Sequence, residues 1–415
     1  MAVSAKANQI TGAATTGTQG ITDPGFTPKV LMILLGLQTA AGAAVNAQFN
    51  LGVATSTSDE QFAGYNSVDA APTSDVVRVL NSGDLLRLFA AGTTTTDLRA
   101  SLNSMDASGF TFNWGAMTTT SPKVNYLAIG GADITNAIAG TFASNTSTGN
   151  QSVTGLGFQP DIVFLFATLQ TVGGVANNNS QYGFGVMTAS AQWACTVKGQ
   201  NSQATMNNSR AFSNARCLIL PNTTTNTLFQ EMSFVSMDSG GFTVNIDTAG
   251  GSAILIGYLA IKGGQWKVGT ETQKTSTGTK STTGVGFTPK GLILASVCDT
   301  QTSGTADSSR LCVGFSTGAS NNVSLWTGDT DNVADAIADT IMSDSKCIVM
   351  ATEGTPTTNA EANIDSLDGD GFTLNWTTAD ATARVFGYVA FGDNAGAPTT
   401  AVKDIIGNGV VPFAR

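Results

Sequence analysis

Along the chain the hydrophobic positions fall into short runs, and most of them alternate. In Gly109–Trp114 the residues Phe110, Phe112 and Trp114 share one side, and Thr111 and Asn113 the other. Period two marks a strand with one buried face. The run Val30–Leu35 differs, being apolar at every position. That predicts a strand covered on both faces, one by its own core and the other by a neighbouring module or subunit. In the first third of the chain, strands are predicted near 8–15, 28–37, 48–55, 60–65, 77–81, 85–90, 97–105, 109–115 and 122–130. Helical periodicity is nearly absent. The exception is 331–342, where Val333, Ile337 and Ile341 recur every four residues and predict one short helix.

The pattern then repeats. "GFTPKVLMILLG" at Gly25 returns as "GFQPDIVFLFAT" at Gly157 and "GFTPKGLILASV" at Gly286. "DASGFTFNW", with Phe110, returns around Phe242 and Phe372. "NYLAIGG", with Tyr126, returns around Tyr258 and Tyr388. All three landmarks keep a common step of roughly 130 residues, the mark of tandem structural units. Weaker landmarks align on Gly52, Gly185 and Gly314. The predicted fold is all-β: three tandem jelly-roll-like β-sandwich modules, with an arrangement around a pseudo-threefold axis as a further expectation. The boundaries are an N-terminal arm 1–7, modules 8–135, 136–264 and 265–393, and a C-terminal arm 394–415. The apolar "VVPF" at 410–413 is expected to dock on a neighbouring subunit.

Composition sharpens this reading. Charged residues are 12% of the 415 and the net charge is −10, so clustered Lys and Arg for phosphate contacts are missing and nucleic acid is not an expected partner. The N-terminus shows no apolar signal segment and no run approaches a membrane span, so a protein made in the cytosol, with no membrane partner, is expected. The five cysteines include no CxxC pair and read as free buried thiols.

The chain contains no histidine, which removes Ser-His-Asp and Cys-His catalysis and His-zinc sites. "STGTKST" at 276–282 lacks the glycine before Lys280 that a phosphate loop needs. "GDTDNVAD" at 328–335 fails the calcium-loop pattern beyond its first residues; a looser metal site would use Asp329, Asp331 and Asp335. A glycosidase needs only two carboxylates, but Glu60, Glu231, Glu271, Glu353 and Glu361 share no position in all three copies. Trp193 and Trp326 are the candidates for a sugar platform. Asp106, Asp238 and Asp368 precede glycine-containing turns and read as turn residues. No catalytic, cofactor-binding or metal residue is assigned, no cofactor is expected, and the chain is read as not an enzyme.

"GLGFQPDIVFLF" at 155–166, "DGDGFTLNW" at 368–376 and "VFGYVAFGD" at 385–393 resemble a β-sandwich module of tailed-phage virion structural proteins. The resemblance spans nearly the whole chain, with "DPGF" and "NYLAIGG" as departures in the first copy. It implies a virion structural protein, as capsid decoration or tail component, whose partners are other virion proteins and copies of itself. Receptor or glycan binding at a tail, or a cell-surface layer or filament, are the alternative expectations.

Overall fold

The computed structural model describes residues 2–36, 38–90, 93–117, 121–354 and 356–394. The arm expected at the C-terminus lies outside the described residues, apart from Asn394. The described chain is all-β, built from six sheets in three similar pairs.

Module 1 shows the plan. Its strands are β1 (Val3–Thr11), β2 (Gly17–Ile21), β3 (Pro28–Leu35), β4 (Gly42–Val45), β5 (Ala47–Ala54), β6 (Glu60–Ser67), β7 (Val76–Ser82), β8 (Leu86–Phe89), β9 (Thr96–Asp106), β10 (Gly109–Met117) and β11 (Lys123–Gly131). A large sheet runs β1-β11-β3-β5-β6-β7, and a small one β2-β10-β9-β8. Modules 2 and 3 repeat both orders. The expected strands are found close to their predicted places. The differences are β2 and β4, which were not foreseen, and β1, which begins at Val3 and so takes residues 3–7 into the sheet instead of leaving them as an arm. There β1 pairs along its length with β11, from Val3↔Gly131 to Thr11↔Lys123.

The doubly apolar strand is covered as its sequence requires. Leu31, Ile33 and Leu35 point into the core of module 1, with Phe110, Phe112 and Trp114. Val30, Met32 and Leu34 point the other way, into a cluster shared by the large sheets of all three modules. Module 2 sends Ile162, Phe164 and Phe166 to the shared cluster and Val163 and Leu165 to its own core. Module 3 divides Ile293 and Leu292 in the same way. Each fully buried Leu, Ile or Phe contributes about 2–3 kcal/mol, so both faces stabilise the chain.

Two sets of repeated glycines let the backbones meet. A Cβ on Gly52, Gly185 or Gly314 would lie 1.8, 2.0 or 2.1 Å from the carbonyl oxygen of Leu85, Cys217 or Cys347, so the two sheets touch at glycine. A Cβ on Gly109, Gly241 or Gly371 would lie 1.9 Å from the carbonyl of Ile21, Val153 or Thr282. Beside the second set, Asp106, Asp238 and Asp368 each accept a bond from the threonine of the "GFT" motif, at 2.7–2.8 Å, which pins the hairpin turn.

The helix expected over 331–342 is not formed. Ala338–Ser343 is a strand, and the residues before it have no helical turn. Contacts from other modules override the local pattern. Asn332 and Val333 exchange backbone hydrogen bonds with Met206, and Ala336 does so with Ala70 and Ala71.

One side-chain acceptor recurs three times, buried at Glu60 and Asn322 and half-buried at Gln192. Glu60, Gln192 and Asn322 accept from the amides of Leu102, Phe234 and Ile364 at 2.8, 2.8 and 3.0 Å. Each amide lies next to a register shift in its strand pair. Only module 1 uses an ionisable group. Burial, which outweighs the pull of the Leu102 amide, pushes the Glu60 carboxyl up to about 7 from 4.5.

Gly185→Ala is expected to lower stability by about 3 kcal/mol, because backbone and not a flexible side chain blocks the methyl. An unchanged denaturation midpoint would show that the sheets can part at that point. Glu60→Gln borrows the side chain that module 2 uses in the same place. From about pH 4.5 to 7 the folded chain keeps a proton on Glu60 that the unfolded chain has released, so rising pH removes stability. The glutamine variant should match the parent below that window and exceed it by about 3 kcal/mol at pH 8; denaturant titrations at both ends check this.

Candidate functional site

The modules meet through backbone and polar side-chain contacts at the edges of their large sheets. Each large sheet is completed by a short strand from another module. Asn177–Asn178 of module 2 pairs with β7 of module 1, Ala306–Asp307 of module 3 with Asn208–Ser213 of module 2, and β4 of module 1 with Ala338–Ser343 of module 3. The exchange therefore closes on itself. Beside each exchanged strand stands a left-handed residue, Asn46, Asn179 or Ser308, with φ of 68°, 68° and 64°. Asparagine tolerates that conformation because its short polar side chain bonds locally. Here Asn46 and Asn179 accept from the amides of Asp69 and Asn201 at 2.8 Å, and Ser308 accepts from that of Asp331 at 3.1 Å.

A second ring of backbone bonds repeats the closure. Ser202 N–H donates to Ser74 C=O, Asn332 to Met206 and Ala70 to Ala336, at 2.7–2.9 Å. In return Ser74 donates to Gln203, Met206 to Val333 and Ala336 to Ala71, at 2.9–3.0 Å. Ala70, Ser202 and Asn332 are all left-handed, with φ of 54–58°.

The side chains that lock the three seams differ. At the first, Arg78 lies directly opposite Asn177, and its Nη1 donates to Asn178 O (2.6 Å), Asn179 O (3.0 Å) and Gln181 Oε1 (2.6 Å). Burial draws Arg78 down to about 10, which leaves it cationic at neutral pH. At the second, Arg210 donates to the carbonyls of Asp307 and Ser308 and pairs with Asp299 at 3.5 Å. At the third, Thr340 takes the arginine's place. Its hydroxyl donates to Asn46 O at 2.7 Å and accepts from Gln48 N at 3.0 Å. This third seam buries acid: Asp329 accepts from Ser67 at 2.5 Å, and burial raises its carboxyl to about 7.

The residues singled out in the sequence are used structurally. Trp193 and Trp326 are fully buried, so neither presents a sugar platform. Trp193 donates to Tyr388 O of module 3 at 3.1 Å and stacks on Phe212. Asp329, Asp331 and Asp335 do not converge: Asp329 binds Ser67, Asp331 caps the amide of Asn208 at 2.6 Å, and Asp335 is exposed. No cluster of three or more His, Cys, Asp or Glu able to hold a metal occurs among the described residues. Glu231, Glu271, Glu353 and Glu361 lie in ion pairs with Arg216, Lys280, Arg310 and Lys346. Lys280 sits in a strand, Gly278–Thr283, bonded to Glu271 and Thr272. All five cysteines are free and buried, and burial pushes each thiol up. The larger hollows are open depressions on seams. One of about 640 Å³ lies beside Lys29, Asn103 and Asn136, and one of about 690 Å³ beside Val45, Asp69 and Ile337.

The sequence did not disclose the exchanged strands, which are two to four residues long with no apolar alternation. The asparagines at 46 and 179, repeat-equivalent and turn-favouring, were the available signal. No family model and no curated protein matches this chain.

Arg78→Met is expected to cost about 2 kcal/mol, as a buried charged donor is lost. Amide exchange should quicken around Asn177 and Asn178 while the small sheets stay protected. Uniform loss of protection, read by hydrogen-exchange mass spectrometry, would show instead that seam and sandwiches open as one unit.

Proposed function

We propose that this chain is a non-enzymatic structural protein of a tailed-phage virion, a capsid decoration or tail component. Three jelly-roll-like sandwiches stand around a pseudo-threefold axis and supply in one chain what a trimer would otherwise supply. The observation that carries the reading is the closed strand exchange, in which each module completes the sheet of another. Such a ring suits a position of threefold symmetry on a particle or a tail hub. The module resemblance in "GLGFQPDIVFLF" and "GYVAFG" supports the same class. Three of the exposed large apolar residues, Val45, Val172 and Val175, lie within or close to exchanged strands and offer contact points to partner proteins at the seams. The strands at the outer edges of the small sheets are polar, with hydroxyl pairs such as Ser152–Thr243 and Ser281–Thr373.

The test is co-sedimentation of the purified chain with phage heads and tails, followed by imaging of the bound particles. Saturable binding at symmetric positions is expected. Retention on glycans or host cells with no particle binding would overturn the reading in favour of an adhesin.

A further inference from the structure

Module 2 places an amine where its sister modules have Asn66 and Gly328. Lys198 lies on the strand Gln192–Gly199, fully buried, on the face turned away from the shared core. Its Nζ is 2.9 Å from Asn207 Oδ1, 3.0 Å from Asn226 Oδ1 and 3.2 Å from Thr225 O. The two amides differ in what holds their nitrogens. Asn207 Nδ2 donates to neutral acceptors, Gln200 Oε1 at 2.7 Å and Thr224 O at 3.1 Å. Asn226 Nδ2 instead faces a carboxylate, Asp307 Oδ1 at 3.4 Å, on the strand that module 3 lends to module 2. An amine, a carboxamide carbon and an acid at the leaving nitrogen are the parts needed for transamidation.

We infer that Lys198 and Asn226 join in an intramolecular isopeptide bond. The lone pair of neutral Nζ attacks Cγ of Asn226, and the carbonyl becomes a tetrahedral oxyanion. As the carbonyl re-forms, the Cγ–Nδ2 bond breaks. One Nζ proton passes through the Asp307 carboxylate to Nδ2, which leaves as ammonia. The product is a secondary amide with one N–H, and nothing is oxidised or reduced. Burial favours the neutral amine, drawing Lys198 down to about 8 against 10.5 for the free side chain, while the Asp331 carboxylate pulls the other way. A lysine is nucleophilic only in that form. The bond ties a large-sheet strand to the turn between Leu218–Pro221 and Leu228–Asp238 of the small sheet, so it clamps the two layers of module 2. It also fixes the turn against which the module 3 strand rests, where Thr305 donates to Asn226 O at 2.6 Å.

Mass spectrometry of the full chain tests this. The intact mass should be lower by one ammonia, and trypsin should leave Lys198 uncut, with residues 124–210 joined to 217–262. Lys198→Arg and Asn226→Ala should each restore the full mass, and Asp307→Asn should slow the loss at least tenfold. Full mass, with 124–198, 199–210 and 217–262 recovered separately, overturns the inference. So does a lighter 217–262 peptide with Lys198 cleaved, which would mark a cyclic imide. A link confined to 124–210 would overturn the choice of Asn226 by assigning Asn207.

Discussion

A sheet that is apolar on both faces cannot stand with one face in water, and the architecture follows from that constraint. The first strand after each "GF-x-P" motif sends alternate residues into its own sandwich and into the cluster shared by all three modules. The small sheet covers one face. The other large sheets cover the second, so each module shares one face of its large sheet with its neighbours. The exchanged strands act on the same dependence at the sheet edges, where an unpaired ladder would otherwise invite foreign pairing.

Closeness between layers comes from absence of side chain as much as from apolar mass. Gly52, Gly185 and Gly314 admit a carbonyl from the facing sheet. The side-chain acceptors Glu60, Gln192 and Asn322 bind an amide beside a strand irregularity. These positions are equivalent in backbone role and different in chemistry. Modules that share a blueprint therefore diverge where a function can tolerate it: an ionisable acceptor in module 1, a buried amine in module 2, and an Arg310–Glu353 pair at 2.8 Å in module 3.

The seams show the same division. Backbone rings are alike at all three, since they depend on φ and on turn length. The side-chain locks are two arginines and a threonine, since those depend only on satisfying nearby carbonyls. Acid is buried at the third seam and guanidinium at the first, so one geometry carries opposite kinds of ionisable group, the carboxyl of Asp329 raised and the guanidinium of Arg78 lowered by burial.

Period-two alternation was enough to read the all-β class and nine of the eleven strands of the first third of the chain from residues alone, because it reflects local geometry; the short β2 and β4 escaped it. The doubly apolar Val30–Leu35 even announced a second covered face. Which surface covers it, which two- to four-residue segments cross between modules, and why Val333, Ile337 and Ile341 lie in no helix were decided by tertiary structure. Each depends on partners far along the chain, such as Asn177 opposite Arg78 or Ala336 opposite Ala70. Local periodicity carries no trace of a hydrogen bond whose other half is remote in sequence, and the same is true of Lys198, whose company became visible only when the turn at Asn226 was folded against it.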